Sequence, residues 1–302
     1  MKKFLFILLI FSLPVFIVCG TMELLLRNIP NGYALKSDYL KSNKKSIKTL
    51  LVGSSHILYG INPKFLTEKA LNYGNVSQTI DVDYKIINHH INTLEALQTI
   101  VIRMSYATLF EQLENGDESW RIKDYEIYTD INFNSKLKYH SEILSVKLKN
   151  NLKRINDFYF LKENSEFVSN QGWGTHTARE KTQNIDAVGK LIAEKHTIND
   201  EVIYTENYKL LEAIVDLCQK NEVKVVLVMM PAHKSYVQHL NQNQLEKTIS
   251  AAKFIDSKYS NCRFFNFLTD NQFKQSDFLD ADHLNREGAE KFTILMDRLL
   301  TN

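Results

Sequence analysis

Five short apolar runs bounded by polar turns punctuate the chain at residues 49–52, 69–73, 99–104, 223–230 and 263–267. None keeps a strict apolar–polar alternation. That is the pattern of strands covered on both faces, as in a parallel sheet. Between them, hydrophobic positions recur at helical spacing. Residues 81–97 carry Tyr84, Ile87, Ile91 and Leu94, and residues 204–220 carry Tyr208, Leu211, Ile214, Val215 and Leu217. Residues 245–258 form a further candidate helix. Residues 286–300 place Ala289, Phe292, Leu295, Met296 and Leu299 on one stripe. Strands alternating with helices predict a three-layer α/β/α sandwich around a parallel sheet.

Two stretches depart from this rhythm. At the N-terminus, Lys2 and Lys3 precede an apolar run from Phe4 to Cys19 that has no polar face. It reads as an uncleaved signal anchor spanning the cell membrane once, lysines inside and the following chain outside the cytoplasm. Residues 105–202 are polar, aromatic and irregular, and read as an insertion after the third strand. The expected organisation is therefore an anchor over 1–25, a linker over 26–47 and an α/β domain over 48–302 with its insertion at 105–202. Insertions on such sheets commonly cover the carboxyl ends of the strands, where ligands bind.

Composition narrows the function classes. The 302 residues are 44% hydrophobic with a net charge of +2, enough for a sizeable core and without the basic block of a nucleic-acid binder. The run 41–48 is lysine-rich but short. With Cys19 in the anchor run, only Cys218 and Cys262 remain; both adjoin predicted core elements and read as buried thiols. No metal-ligand spacing and no phosphate-cradling loop is present, so no cofactor is expected.

Candidate chemistry lies at two distant places. The stretch "VGSSHILYG" at 52–60 runs from the first strand into Gly53-Ser54-Ser55-His56. A serine at the end of a parallel strand is placed for catalysis, but either serine could equally cap the helix that follows. The stretch "FLDADHLNREGAEKF" at 278–292 puts Asp280 three residues before His283, directly ahead of the last helix. That spacing lets a carboxylate orient an imidazole whose other nitrogen faces a serine. A cap from Asp280 or Asp282 is compatible with the same arrangement.

Together these two motifs resemble the SGNH (GDSL-like) hydrolase superfamily, in its variant with serine at the middle position of the first block. The resemblance covers about 48–104 and 203–300 and implies a flavodoxin-like SGNH fold. It implies that Ser55 is the nucleophile, His283 the general base and Asp280 its orienting acid. The family's second block aligns best at Ser77, with Gly74 as the other candidate, for an oxyanion-hole backbone N–H. Its third block, normally Gly-x-Asn-Asp, is missing; Ser105 or Tyr106 stands near that place. His56, His233 and Trp173 are further substrate-contact candidates, Trp173 as a platform for a sugar ring. The Gly-Ser-Ser form behind a membrane anchor looks similar to alginate acetylation proteins and teichoic acid D-alanyl transfer proteins. The implied function is a membrane-anchored serine esterase or O-acyltransferase on acyl esters, acetyl first among them, of a cell-surface polysaccharide. The alternative is an inactive SGNH-fold protein that binds glycan or an envelope assembly partner.

Overall fold

The computed structural model describes residues 1–133, 136–163, 168–175 and 184–301. Five strands form one sheet: β1 Thr49–Val52, β2 Ala70–Asn72, β3 Thr99–Arg103, β4 Lys224–Met229 and β5 Cys262–Asn266. The helices are α1 Lys2–Arg27, α2 Gly32–Asn43, α3 Ser55–Gly60, α4 Ile80–His90, α5 Ile122–Tyr128 and α6 Glu142–Ser145. They continue with α7 Leu148–Ile155, α8 Ile185–Lys195, α9 Glu201–Lys220, α10 Lys234–Val237, α11 Gln242–Lys258 and α12 Arg286–Thr301. Every expected strand is present, each displaced by no more than a residue at either end. The expected helix at 81–97 stops earlier, at His90, and a turn covers the rest of it.

The sheet is wholly parallel, in the order β2-β1-β3-β4-β5. This is the doubly wound order whose ligands bind beyond the strands' carboxyl ends. Leu51, Val101, Val226 and Val228 share a core with Ile57, Phe292 and Met296. Their strand neighbours Leu50, Ile100, Ile102, Val225 and Leu227 are equally buried. Successive strand residues point to opposite faces, so both faces of the sheet are covered. That is why the strands read as continuous apolar runs. The expected α/β/α sandwich with a parallel sheet is borne out.

The chain divides into two compact units, Met1–Ala34 with Trp120–Glu166, and Leu35–Ser119 with Phe167–Asn302. The stretch 105–202 is therefore shared between them rather than forming one inserted piece. Residues 32–43, expected within a linker, instead form α2. In the second unit the buried Lys36 of this helix donates to the Gly74 carbonyl and to Asn75 Oδ1.

The first unit is built around α1, a helix long and apolar enough to cross a membrane. Near its end Glu23 accepts from Ser141 Oγ at 2.8 Å and from the N–H groups of Glu142 and Ile143 at 3.0 and 3.1 Å. It thereby caps α6 from outside that helix. A buried polar cluster follows, in which Glu142 accepts from Lys123, Tyr128 and Arg154. This unit also exposes Leu137, Leu144, Leu148, Leu152, Phe160 and Leu161 to solvent.

Candidate active site

Strand β1 turns into α3 through Gly53, whose φ of 134° is closed to ordinary side chains. A Cβ there would come within 2.7 Å of the Arg103 Cβ, so the two strand ends pack too closely for anything larger. The turn gives the two serines different places. Ser54 is the N-cap of α3 and accepts from His56 N–H at 3.3 Å. Ser55 begins the helix with its hydroxyl free of capping.

The other half of the site is a loop closed by the bridge between Phe278 and Leu284. Inside it Asp280 Oδ1 accepts from the backbone N–H of Asp282 at 3.2 Å and of His283 at 2.8 Å. The carboxylate thus folds its own turn, as aspartates do. His283 Nδ1 lies 2.9 Å from Asp280 Oδ1, and His283 Nε2 lies 2.8 Å from Ser55 Oγ. The structure brings Ser55, His283 and Asp280 together in hydrogen-bond sequence.

A second carboxylate, offered by the sequence only as one of two possible helix caps, enters the site. Asp282, almost wholly buried, places Oδ1 3.2 Å from His283 Nδ1 and Oδ2 3.3 Å from His56 Nε2. His56 in turn sets Nδ1 3.1 Å from Ser54 Oγ and stacks on His283, ring centroids 4.8 Å apart and planes 15° from parallel. The electrostatics follow from this packing. Burial alone would lower the His283 pKa, but the Asp282 charge and the hydrogen bonds of both carboxylates raise it to about 10. His56 is pushed down to about 4, chiefly by burial, and is neutral near pH 7. Burial works to raise Asp282, yet His283 first and His56 second hold it well below the usual carboxylate range.

The donor atoms of His56, Asp282 and His283 lie within 4.8 Å of one another, close enough to surround a metal ion. Each of these groups is already engaged, His283 with Ser55 and Asp280, and His56 with Ser54. The trio therefore reads as a hydrogen-bonded relay.

These groups line a cavity of about 490 Å³ that also receives Ser77 and Arg103, with walls from residues 110–118 and 195–203. Ser77, at a left-handed φ of 58°, has a backbone N–H with no acceptor among the described residues. Its position fits the oxyanion role. Gly74 does not fit it, because its N–H is committed to Asn72 Oδ1 at 3.0 Å. Ser105 is tied into a local turn with Thr108, and the Tyr106 hydroxyl bonds Thr197 and Asn241 in the core. Neither lines the cavity.

Two other candidates are structural. His233 caps α10 and packs its ring edge-on to Phe278. Trp173 is 6% exposed and donates Nε1–H to the Tyr59 carbonyl at 2.8 Å, so no face is open to a sugar. His176, the last residue of "NQGWGTH", lies outside the described residues. Cys218 and Cys262 are free, buried thiols, as expected.

What the sequence reading passed over is Arg103, although a cation closing the apolar run "TIVIR" was a visible signal. The cavity walls left no comparable trace, since no periodicity marks residues 110–118.

Comparison with known proteins adds the lineage. A sequence-family model matches residues 150–302, half of the chain and the half that holds Asp280, Asp282 and His283. The chain belongs to that family. No curated protein matches the sequence. Among solved structures, the chain is similar to a GDSL-like lipase from Bacteroides thetaiotaomicron, at 11% identity and a TM-score of 0.43, covering 89% of this chain and 98% of that one. It is also similar to a protein of Bacteroides fragilis provisionally described as an acylhydrolase, at 12% identity and a TM-score of 0.42, covering 87% and 94%. Likeness at this level carries no argument about chemistry, which rests on the site itself.

Proposed function

We propose that the chain is a membrane-anchored serine esterase or O-acyltransferase that works through an acyl-Ser55 intermediate. One observation carries the reading: Ser55 Oγ stands 2.8 Å from His283 Nε2, while Asp280 holds the opposite ring nitrogen. A serine hydroxyl becomes a nucleophile when a positioned base takes its proton, and this is that geometry.

In the forward step neutral His283 accepts the Ser55 proton as Oγ adds to the ester carbonyl. The backbone N–H groups of Ser55 and Ser77, both on the cavity, are the candidate donors to the oxyanion. Collapse returns the proton from His283 to the departing alkoxide and leaves the acyl group on Ser55. His283 then deprotonates the second acceptor, which is water in an esterase and a sugar hydroxyl in a transferase. The imidazolium formed at each transfer faces two carboxylates.

The finer assignments rest on the family resemblance together with α1. They are an acetyl or similar acyl ester of a cell-surface polysaccharide as substrate, and a site outside the cytoplasm. The exposed leucines of the first unit, next in chain to the lysines of α7, suit an interface between water and lipid. The test is hydrolysis of p-nitrophenyl acetate and of an acetylated glycan by the full chain in detergent, beside Ser55→Ala. Equal rates in the two proteins would remove the nucleophile assignment.

A further inference from the structure

Strand β3 ends in an arginine whose guanidinium has no hydrogen-bond partner among the described residues. Arg103 is 5% exposed and lines the cavity beside Ser54 and Ser55. Its guanidinium makes no hydrogen bond to any described residue, and no carboxylate of these comes within 4.0 Å. A buried cation left without a partner is costly, and folded proteins ordinarily satisfy it with a carboxylate.

The neighbouring acids are engaged elsewhere or stand off. Asp83 accepts from Gln78 Nε2 at 2.7 Å, and Asp282 is shared between two imidazoles. Glu111, half-buried on the cavity wall, acts on Arg103 only through space. The root of the side chain is fixed by the close approach of the Arg103 Cβ to Gly53, in the turn that delivers Ser55. The side chain lines the same cavity as Ser55, and a planar fork of five N–H donors matches a carboxylate or a phosphate.

From this juxtaposition we infer that Arg103 receives an anionic group of the molecule whose ester is presented to Ser55. The substrate class is then an acyl ester bearing a carboxylate or phosphate close to the scissile bond, rather than a neutral one. Glu111, the opposing charge across the same cavity, keeps the subsite from holding anions indiscriminately. The inference deepens the esterase reading and rests on it for the word substrate; the anion site itself does not need the chemistry.

The experiment separates the two. Full-length Ser55→Ala in detergent is titrated calorimetrically with inorganic phosphate and, separately, with monomethyl succinate, with and without Arg103→Gln. At least one anion should bind, and Arg103→Gln should weaken it tenfold or more, while Glu111→Gln should tighten it. The tighter of the two probes identifies phosphate or carboxylate as the group received. In the active protein, kcat/KM is compared for mono-4-nitrophenyl succinate and 4-nitrophenyl acetate. Arg103→Gln should lower the succinate-to-acetate ratio at least tenfold, and Arg103→Lys should restore part of it. Thermal denaturation of Arg103→Met checks folding, and a midpoint at or above wild type is expected from removal of an unpaired buried charge. An unchanged ratio with unchanged anion binding, or a collapse in stability, overturns the inference. If Ser55→Ala hydrolyses esters like wild type, the esterase reading fails while the titration still decides Arg103.

Discussion

The rings of His56 and His283 stack 4.8 Å apart and nearly parallel, with the Asp282 carboxylate bonded to both. Burial holds the His56 imidazole neutral near pH 7, while the Asp282 charge pulls the neighbouring His283 toward its charged form. Packing of this kind divides the work of two histidines by environment rather than by identity.

The first consequence is an unusual pH–rate profile. A general base works in its neutral form, and His283 is raised to about 10. Esterase kcat/KM should therefore climb through the alkaline range, well above the unperturbed histidine value of about 6.5. Asp282→Asn removes the largest charge favouring the imidazolium and should move the rising limb to lower pH by at least one unit. A limb that stays in place on this substitution would separate Asp282 from the titration.

Stability should carry the same signature with the opposite sign. His283 binds its proton more tightly folded than unfolded, so its contribution is full below about 6.5 and is lost as pH rises through about 10. His56, lowered to about 4, makes the fold weaken as pH falls from about 6.5 toward 4, because its buried neutral ring must charge. Thermal midpoints measured from pH 4 to 10 should fall at both ends. Asp282→Asn should flatten the alkaline fall, and His56→Gln the acid one.

Two carboxylates at one ring nitrogen should make their removal non-additive. Asp280→Asn and Asp282→Asn each leave His283 one anionic partner. Each single variant should retain more activity than the roughly 10⁴-fold loss seen when the sole orienting aspartate of a triad is replaced. The double variant should fall below the product of the two. Ser55→Ala should lower kcat by ~10³-fold or more on any ester.

Gly53 offers a test of the turn. Gly53→Ala must hold alanine at φ 134° with its Cβ 2.7 Å from that of Arg103. A loss of roughly 1–3 kcal/mol in chemical denaturation is expected from backbone strain of this kind. Activity should fall further than stability, since the same turn aims Ser55.

The anchor can be checked by alkaline carbonate extraction of membranes. The full chain should stay with the lipid, and a chain beginning after residue 20, which keeps Glu23 to cap α6, should be released.

Much of this was legible along the chain. The five apolar runs became the five strands because a parallel sheet buries both faces, so its strands need no partner to declare themselves. The stripe Ala289, Phe292 and Met296 became the buried face of α12 for the same local reason of period. Asp280 and His283 were readable because three residues of spacing already place a carboxylate against an imidazole, whatever the rest of the chain does. The long apolar helix α1 needed only length and hydropathy.

The motif singled out Ser55 by resemblance, but only the structure shows Ser54 capping α3 and Ser55 within reach of His283. Nor could sequence alone show that Trp173 and Tyr106 spend their polar atoms inside the core. Asp282 and His56 are 226 residues apart, and Arg103 meets the serine turn only across the sheet. Local sequence determined the elements and the Asp280–His283 contact, because period and short spacing are properties of neighbours in the chain. The second carboxylate, the stacked neutral histidine and the arginine beside the serine turn were decided by tertiary structure alone, because burial and charge pairing depend on which distant strands end side by side.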